Sequence, residues 1–335
     1  MTTINTNQFA SASKLSHFKS RSKTARKIRE SIIIGGLITC GLFSLTTTLL
    51  IIYVLFKEAI GFFGLDDVHF ADFIFGLKWN PLLGAEHHFG IWPLITGTLQ
   101  VTAIAMTLAL PLGLITAIWL SEYAHPRVRG IIKPVLEVLA GIPTVVFGFF
   151  ALTILTPALQ WFDNNPLFAW LGIEFSVFNV TSAGIAVGIM CLPIVTSLTE
   201  DALRAVPRAL REGAYGLGST RFETSIKVVV PAALSGIIAA FLLAFARAVG
   251  ETMIVALAAG GSPPDLSAKP QSVLAFNDQT QTMTGYMVQI FLGDVSNFGA
   301  EYYSAYAVGA TLFVITLTLT LIGNLIRVKF RQAYE

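Results

Sequence analysis

Residues 208–231 read RALREGAYGLGSTRFETSIKVVVP, a charged, glycine-containing stretch that separates two long apolar runs. The polar segment around it, residues 200–227, is roughly 30 residues long, whereas most connections between helices take about four to six residues. Helix-forming residues predict a short helix after Pro207, and Gly218 can reverse the chain because glycine reaches backbone angles that other residues resist. We therefore expect this segment to fold into an element of its own.

The rest of the chain is unusually apolar. Of its 335 residues, 54% are hydrophobic and 13% are charged, and the mean hydropathy is +0.69, whereas soluble domains carry about 25% charged residues. A helix needs roughly 20 apolar residues to cross a bilayer. Six stretches approach or exceed that length: Ser31–Phe56, Leu94–Tyr123, Ile131–Ala158, Thr181–Leu198, Val228–Gly260 and Ser304–Ile326. The composition predicts an all-α polytopic membrane protein with six transmembrane helices, and a net charge of only +2 gives no reason to expect nucleic acid as a partner.

The Lys and Arg residues are distributed unevenly among the segments between these predicted spans. Eighteen of the 22 lie in the N-terminal tail, in the segments after the second and fourth spans, and at the C-terminus. The alternate segments hold only Lys57, Lys78 and Lys269, and Arg247 lies inside the fifth span. Since loops rich in Lys and Arg stay on the cytoplasmic side, both termini and the segment 200–227 are predicted to be cytoplasmic. A structured, charged element on that side is typical of a docking surface for a soluble partner.

The predicted spans divide the chain into five parts. The parts are a disordered basic cytoplasmic tail (1–30), the first transmembrane helix (31–56), a periplasmic segment (57–93), a core of five further transmembrane helices with the loop 200–227 (94–327), and the cytoplasmic C-terminus (328–335). The long external segment 261–303 leaves three interpretations open: it covers the mouth of a pore, docks an external partner, or only connects two spans.

The loop 200–227 and the residues after it resemble the coupling loop of ABC-importer permeases. The family pattern is E-A-A, three residues, G, nine residues, and I-x-L-P. This sequence has Glu212-Gly213-Ala214, three residues, Gly218, nine residues, and then three valines and Pro231. The spacings match, and the departures are a glycine for alanine and valines for isoleucine and leucine. In the family this loop forms a helix that sits in a cleft of the ATPase subunit, so the resemblance implies ATPase coupling through Glu212, Gly213, Ala214, Gly218 and Pro231.

The chain carries no signature of nucleotide, cofactor or metal chemistry. It has no G-x-x-x-x-G-K-[ST] sequence, so it cannot hydrolyse ATP by that route and needs a separate ATPase. Cys40 and Cys191 lie in apolar runs without His or Cys at ligand spacing. The sequence therefore predicts no disulfide, no metal site and no cofactor.

Arg247 and Glu251 place two charges inside the fifth predicted span. A central Arg costs roughly 2.5–3.5 kcal/mol on insertion scales, so such a residue is a functional hypothesis by default. Glu251, four residues on, lies on the same helical face, and in an unbroken helix Arg247 is about 24 Å from Pro231, past the midplane. Either the two charges neutralise each other and hold helices together, or they line a translocation path. In the second case Arg247 attracts an anion and Glu251 keeps it from binding too tightly for release; the two roles can coexist.

The sequence around this pair narrows the resemblance to phosphate-specific permeases. Four stretches show this resemblance: Arg247-Ala248-Val249-Gly250-Glu251-Thr252-Met253 with the small residues after them, the run Leu139–Phe150, Glu122-Tyr123 and Pro126-Arg127. The likeness covers roughly residues 90–330 and is closer to the PstC type of subunit than to its PstA-type partner. It implies a type I ABC importer permease fold and a substrate pathway that includes Arg247, Glu251 and Thr252.

The resemblance also implies the composition of the transporter. A second homologous permease of the PstA type, two ATPase subunits and a periplasmic or extracellular phosphate-binding protein would accompany this chain in the cytoplasmic (inner) membrane. The predicted function is that of a permease subunit, not an enzyme, which moves inorganic phosphate across the lipid bilayer by alternating access.

Three alternatives remain at this point. A permease for another oxyanion, sulfate or molybdate, would share every physical feature above. Inverted repeats would support an ATP-independent secondary transporter, but we find none. This alternative would also leave the loop 200–227 unexplained. A membrane-embedded enzyme would need His, Asp or Cys clustered within the spans, and the spans lack such clusters.

Overall fold

The computed structural model describes residues 23–65, 68–81, 87–163, 174–293 and 299–329. It contains two units, residues 1–54 and residues 55–335. The described part of the first unit is helical, and its apolar side chains are mostly exposed. The second unit holds the other described helices and strands, and the interactions reported below lie within it.

The elements follow the chain as a series of helices with one short strand pair. They are α1 (Lys23–Phe62), α2 (Phe70–Phe75), β1 (Trp79–Asn80), β2 (His88–Phe89), α3 (Trp92–Ile118), α4 (Pro126–Ala140), α5 (Thr144–Phe150), α6 (Thr156–Asp163), α7 (Val180–Ala205), α8 (Arg208–Gly216), α9 (Arg221–Thr224), α10 (Val230–Ala232), α11 (Leu234–Val249), α12 (Met253–Ala258), α13 (Met283–Leu292) and α14 (Ala300–Lys329). Strands β1 and β2 pair antiparallel. π-Helical turns follow α3, α5 and α9, at Trp119–Tyr123, Ala151–Leu155 and Ser225–Val229.

Five stretches of the described chain are long and apolar enough to cross a membrane, and a bent pair of helices makes a sixth. The five are Lys27–Phe62, Trp92–Tyr123, Thr144–Phe162, Val180–Ala205 and Ala300–Lys329. The bent pair is Arg221–Ala232 with Leu234–Val249. With the bent pair counted as one span, the predicted all-α architecture of six transmembrane helices is confirmed.

The third predicted span, Ile131–Ala158, begins in the wrong place. Helix α4 ends at Ala140 and α5 begins at Thr144, so the stretch able to cross a membrane is Thr144–Phe162. The cause is local, because Pro143 caps α5 with an extended backbone (ψ 135°) and a residue that precedes proline avoids helical angles. Helix α4 is instead amphipathic, and none of its residues is buried within this chain.

The fifth predicted span, Val228–Gly260, is broken twice. The helix axis bends by 72° at Ala233, two residues after Pro231, which has no N–H to donate and disrupts the preceding turn. The helix stops again at Gly250 and resumes as α12 at Met253. The depth of about 24 Å expected for Arg247 along an unbroken helix therefore does not hold.

The first span is longer than predicted at both ends. Helix α1 begins at Lys23 and ends at Phe62, so residues 23–30, expected to be disordered, are helical. These residues are helix formers without glycine or proline, and the helix of the span continues through them. Residues 1–22 of the predicted tail and residues 330–335 of the predicted C-terminus lie outside the described residues.

The core of the second unit is the contact between α3 and α7, the most extensive between any two described helices. A Cβ on Gly184 would lie 2.6 Å from Cβ of Ile104, and one on Gly188 would lie 3.0 Å from the carbonyl oxygen of Ala105. On the facing helix, a Cβ on Gly113 would meet Val195. The small residues of Gly184-x-x-x-Gly188 thus let the backbones of α3 and α7 approach closely, as small residues do at helix contacts in membranes.

The described parts of the two long segments between spans are folded against the helices. The segment 57–93 packs Phe62, Phe73, Trp79 and Phe89 edge to face, with the ring of Trp79 against Tyr286. The segment after α12 is held by the Nε2 atom of Gln100 on α3, which donates to the carbonyl oxygens of Ser272 (3.1 Å) and Val273 (2.8 Å). The segment continues through residue 281 into α13. Residues 294–298, which follow α13, lie outside the described residues.

We predict that Gly184→Val destabilises the protein by roughly 1–3 kcal/mol, because it forces extra methyl groups into the contact between α3 and α7. Thermal unfolding of the detergent-purified protein measures the effect. Gly41→Val is the matched control, since a Cβ at Gly41 meets nothing within 4 Å. Equal melting temperatures for the two variants would contradict the packing argument.

Candidate functional site

Helix α8 is the short helix that the sequence predicts after Pro207. Pro207 is its N-cap, and Arg208–Gly216 form the helix. The chain then reverses at Gly218, which has a φ of +86°, and the N–H groups of Gly218 and Ser219 donate to the carbonyl oxygens of Tyr215 (2.9 Å) and Ala214 (3.1 Å). The predicted reversal at Gly218 is confirmed, and the segment is a compact turn of helix and not an extended connector.

The next helix begins with a device that the sequence reasoning did not use. Thr220 accepts a hydrogen bond from the N–H of Glu223 (3.3 Å), and the Glu223 carboxylate accepts one from the N–H of Thr220 (3.1 Å). This reciprocal pair is a capping box, which satisfies two N–H groups at a helix start. It fixes α9 directly after the turn at Gly218, and the S/T-x-x-E spacing was available in the sequence.

The residues predicted to couple to an ATPase differ in exposure and position. Glu212, Gly213 and Gly218 are exposed on α8 and its turn, whereas Ala214 is buried on the opposite side of the helix. Pro231 is exposed but lies in α10, at the bend of the fifth span. The structure thus places three of the five on one accessible surface.

Exposed apolar side chains accompany this accessible surface. Leu217 is 90% exposed, and Phe222 and Tyr215 are 67% and 42% exposed. We call Glu212, Tyr215, Leu217 and Phe222 the α8 surface. A polar turn that displays large apolar side chains is typical of an interaction site. No pattern in the local sequence separates the exposed Leu217 from Leu203, which is fully buried.

Arg211 ties α8 to two spans, and the sequence analysis counted it only as a topology signal. Its Nη2 atom lies 2.9 Å from Glu122 Oε1 and its Nε donates to Glu122 Oε2 over 3.3 Å. The same guanidinium donates to the carbonyl oxygens of Val206 (2.7 Å) and Leu203 (2.8 Å) at the end of α7. Helix α8 is therefore joined by one side chain to the ends of α3 and α7.

Glu200 forms the centre of a second ionic cluster at the same end of α7. Its side chain is fully buried and lies 2.8 Å from Arg129 Nε and 2.9 Å from Lys133 Nζ, both on α4. Lys133 also pairs with Asp201. Burial alone would lower the pKa of Lys133, but the hydrogen bonds with Asp201 and Glu200 outweigh it, and the pKa lies above its ordinary value. A buried carboxylate needs such partners, so the cluster holds α4 against α7.

Arg247 and Glu251 come together, but not on one continuous helix. Helix α11 ends at Val249, and Arg247 Nη2 lies 3.9 Å from Glu251 Oε2 across the break. The side chain of Glu251 is 3% exposed, and its Oε1 accepts hydrogen bonds from the N–H groups of Met253 (3.2 Å) and Ile254 (3.3 Å). Glu251 therefore caps α12 in addition to facing Arg247.

Nearby polar groups donate hydrogen bonds to the backbone carbonyl groups at the break. Thr284 donates to the carbonyl oxygen of Glu251 (2.8 Å), and the hydroxyl of Thr252 donates to that of Gly250 (3.2 Å). Backbone groups freed inside a membrane need such partners, and irregular backbone is tolerated where it is buried in protein or lines a cavity. The third predicted pathway residue, Thr252, thus lies at the break beside Glu251.

The guanidinium of Arg247 is poorly neutralised within this chain. Half of its side chain is exposed, and its distance to Glu251 exceeds that of a hydrogen bond. Among the described residues its other polar contact is a weak one to the sulfur of Met190 (3.9 Å). A guanidinium has five N–H donors. Most of them are available to a group that approaches this exposed face.

The chain belongs to the family of binding-protein-dependent transport system inner membrane components, whose family model matches residues 109–332. Several relatives have more specific names. The phosphate transport system permease protein PstC of Mesorhizobium japonicum is 35% identical, over 75% of this chain and 76% of its own length. A probable ABC transporter permease protein of Bacillus subtilis, YqgH, is 31% identical over 84% of this chain and 86% of its own length.

Solved structures carry the same fold. A chain in a crystal structure of a bacterial ABC transporter involved in the import of the acidic polysaccharide alginate aligns with 91% of this chain and 100% of its own, with a TM-score of 0.59 at 16% identity. At that identity the likeness shows the fold alone. The predicted fold of an ABC importer permease is confirmed, and the relatives are membrane subunits of transporters and not catalytic enzymes.

We predict that Gly218→Ala weakens the turn after α8 by about 1–2 kcal/mol, the cost of a left-handed backbone for a residue with a Cβ. Hydrogen exchange of the amides of residues 214–224 measures this, and faster exchange is expected. Gly216→Ala is the control because its Cβ also meets nothing within 4 Å, while its backbone is helical. Exchange that is equally fast in both variants would show that the positive φ is not the cause.

Proposed function

We propose that this chain is a permease subunit of an ATP-driven importer and that it moves inorganic phosphate across the cytoplasmic membrane by alternating access. Family membership supports the importer, and the names of several relatives support phosphate. The structural observation that carries the substrate assignment is the half-exposed Arg247 within the spans. A poorly neutralised guanidinium is costly in a membrane and matches the oxygens of an oxyanion.

The proposed topology places both termini and α8 in the cytoplasm. The distribution of Lys and Arg supports it, because Arg208, Arg211, Arg221 and Lys227 surround α8 and its turn, on the side where an ATPase would dock. The transporter would consist of this chain, a second permease of the PstA type, two ATPase subunits and an external phosphate-binding protein. The α8 surface, together with the exposed Gly213 and Gly218, is the proposed contact with the ATPase. The buried Ala214 would support it from within, and Pro231 would contribute at the bend of the fifth span.

Arg247 and Glu251 have different parts in the proposed pathway. Arg247 presents its donors on an exposed face, where an anion can reach them. Glu251 is held in place by two N–H groups of α12 and lies 3.9 Å from Arg247. Its negative charge weakens the hold of Arg247 on the anion, and a transport site must release what it binds. Thr252 would add a hydroxyl beside the same break.

The structural alternative is that the pair only holds helices together. A buried ion pair of that kind would keep both charges enclosed and hydrogen bonded, whereas here only Glu251 is enclosed. The exposure of Arg247 therefore favours the pathway role. Sulfate and molybdate are oxyanions like phosphate and could bind at such a site. A competition experiment is needed to distinguish the three substrates.

We predict that Arg247→Gln abolishes phosphate uptake by the reconstituted complex while the subunits still assemble. The loss follows from removal of the charge that attracts the anion. Uptake of radiolabelled phosphate into proteoliposomes measures it, with sulfate and molybdate as competitors of the unaltered complex. Arg327→Gln is the control, because Arg327 lies in the last turn of α14, at the membrane surface.

Two results would count against this assignment. Unchanged uptake by Arg247→Gln would exclude Arg247 from the pathway. If the subunits of this variant no longer assemble into a complex, the structural role of Arg247 would be favoured instead. Strong competition by sulfate or molybdate in the unaltered complex would shift the substrate to that oxyanion.

We predict that Leu217→Asp and Glu212→Ala each reduce the amount of ATPase that copurifies with the permease. Leu217→Asp places a charge in the centre of the proposed interface, and we expect the larger loss there. Leu274→Asp is the matched control: this leucine is 73% exposed but lies in the segment between α12 and α13, proposed to be external. Normal copurification of the ATPase with both α8 variants would contradict the docking surface.

A further inference from the structure

Arg211 and Glu212 are neighbours on α8 that face opposite ways. Glu212 is exposed, whereas the side chain of Arg211 is only 16% exposed and points to the ends of α3 and α7. We infer that Arg211 is a positioning residue for energy coupling: it transmits a movement of α8 to these two spans. The inference rests on the proposed function, in which α8 docks the ATPase.

The guanidinium of Arg211 is held on every side that carries a donor. Nη2 and Nε bind the two oxygens of Glu122 at 2.9 and 3.3 Å, and the Glu122 side chain is 7% exposed. A bidentate pair between Arg and a carboxylate fixes both distance and orientation. Because both side chains are mostly buried and joined by two contacts, α8 cannot shift relative to Glu122 without breaking the pair or carrying Glu122 along.

The contacts with α7 use two carbonyl groups at its C-terminal end, and one of them, that of Leu203, also accepts the N–H of Val206 (3.3 Å). The last carbonyls of a helix lack partners within it and lie at its negative pole. Arg211 Nη2 binds the carbonyl of Leu203 (2.8 Å), and Nη1 binds that of Val206, the C-cap of α7 (2.7 Å). A cation at this point therefore joins α8 to α7 through the backbone, where substitution of α7 side chains has little influence.

Glu122 is carried by an irregular end of α3. The π-helical turn Trp119–Tyr123 ends this helix, and such turns often occur at functional positions. Ser121 donates to Glu122 Oε1 (3.1 Å), the oxygen that also accepts from Arg211 Nη2, so the carboxylate has a second partner. A pull on Glu122 thus acts on a segment continuous with α3, whose far part packs against α7.

The other contacts of α8 do not constrain direction in this way. Leu210 packs against a cluster that contains Leu203, Val206 and Val229, and hydrophobic contact is not directional. An open cavity of about 650 Å³ adjoins Arg211 and Glu122, so close packing does not hold α8 on that side. The ion pair and the two carbonyl contacts are the directional connections of α8 in the described chain.

The experiment uses the complete transporter, reconstituted with its ATPase and binding protein. Arg211→Gln, Arg211→Lys and Glu122→Gln are compared with the unaltered complex. Lys227→Gln is the control because it removes one member of an exposed ion pair, Lys227–Glu223 (3.4 Å), and exposed pairs contribute little. Three quantities are measured: the amount of copurified ATPase, ATP hydrolysis with and without phosphate-loaded binding protein, and phosphate moved per ATP hydrolysed.

We expect Arg211→Gln to retain the ATPase and its basal hydrolysis, because the α8 surface is unchanged. Phosphate moved per ATP should fall about tenfold, as expected for the loss of a hydrogen bond to a charged group. Arg211→Lys and Glu122→Gln keep part of the contact and should give intermediate ratios. The Arg211→Glu, Glu122→Arg double variant should recover part of the ratio lost in Arg211→Glu alone.

A normal ratio in Arg211→Gln overturns the inference. Failure of all three single variants to assemble also overturns it, since Arg211 would then be needed for folding and not for coupling. Failure of the proposed function looks different: the unaltered complex would not move phosphate. In that case the role of Arg211 is tested by another quantity, the stimulation of ATP hydrolysis by the binding protein loaded with its true substrate. This stimulation then replaces the ratio of phosphate moved per ATP hydrolysed.

Discussion

The close contact of α3 with α7 is the constraint on which the other parts of the structure depend. Gly184, Gly188 and Gly113 let the two helices approach so closely that added methyl groups would collide. Apolar burial does not drive helix association inside a membrane, so tight packing of small residues takes its place. The contact fixes both ends of the pair at once. At one end Glu122 and Glu200 receive the cations of α8 and α4, and at the other Gln100 holds the segment after α12.

The same scaffold allows irregular backbone where the proposed pathway lies. The chain stops being helical at Gly250, and the exposed backbone groups are satisfied by Glu251 and Thr284. Glu251 thereby has a structural task and an electrostatic one, while Arg247 keeps an exposed face. A break that is stabilised from within the chain thus lets Arg247 keep an exposed face although its partner Glu251, 3.9 Å away, is enclosed.

Much of the fold follows from local sequence patterns, and the errors have local causes as well. The apolar runs predicted the number of spans, and Pro207 and Gly218 predicted the short helix and its turn. Pro143 and Pro231 were visible in the sequence, but their effects on the third and fifth spans were underestimated, because membrane helices often tolerate proline when neighbours supply the missing hydrogen bonds. The capping box at Thr220 was readable from its spacing and was missed.

The sequence by itself determined that this chain is a six-span membrane protein with a structured polar loop and a charged pair in a span. Composition, periodicity and motif spacing are properties of neighbouring residues, so they can be read without a structure. Only the tertiary structure paired Arg211 with Glu122, 89 positions away, and Arg129 and Lys133 with Glu200. It also separated Arg247, which is exposed, from Glu251, which is enclosed. The physical reason is that an ion pair and the exposure of a charge depend on which helices meet. The residues next to each partner in the sequence do not show which helices will pack together.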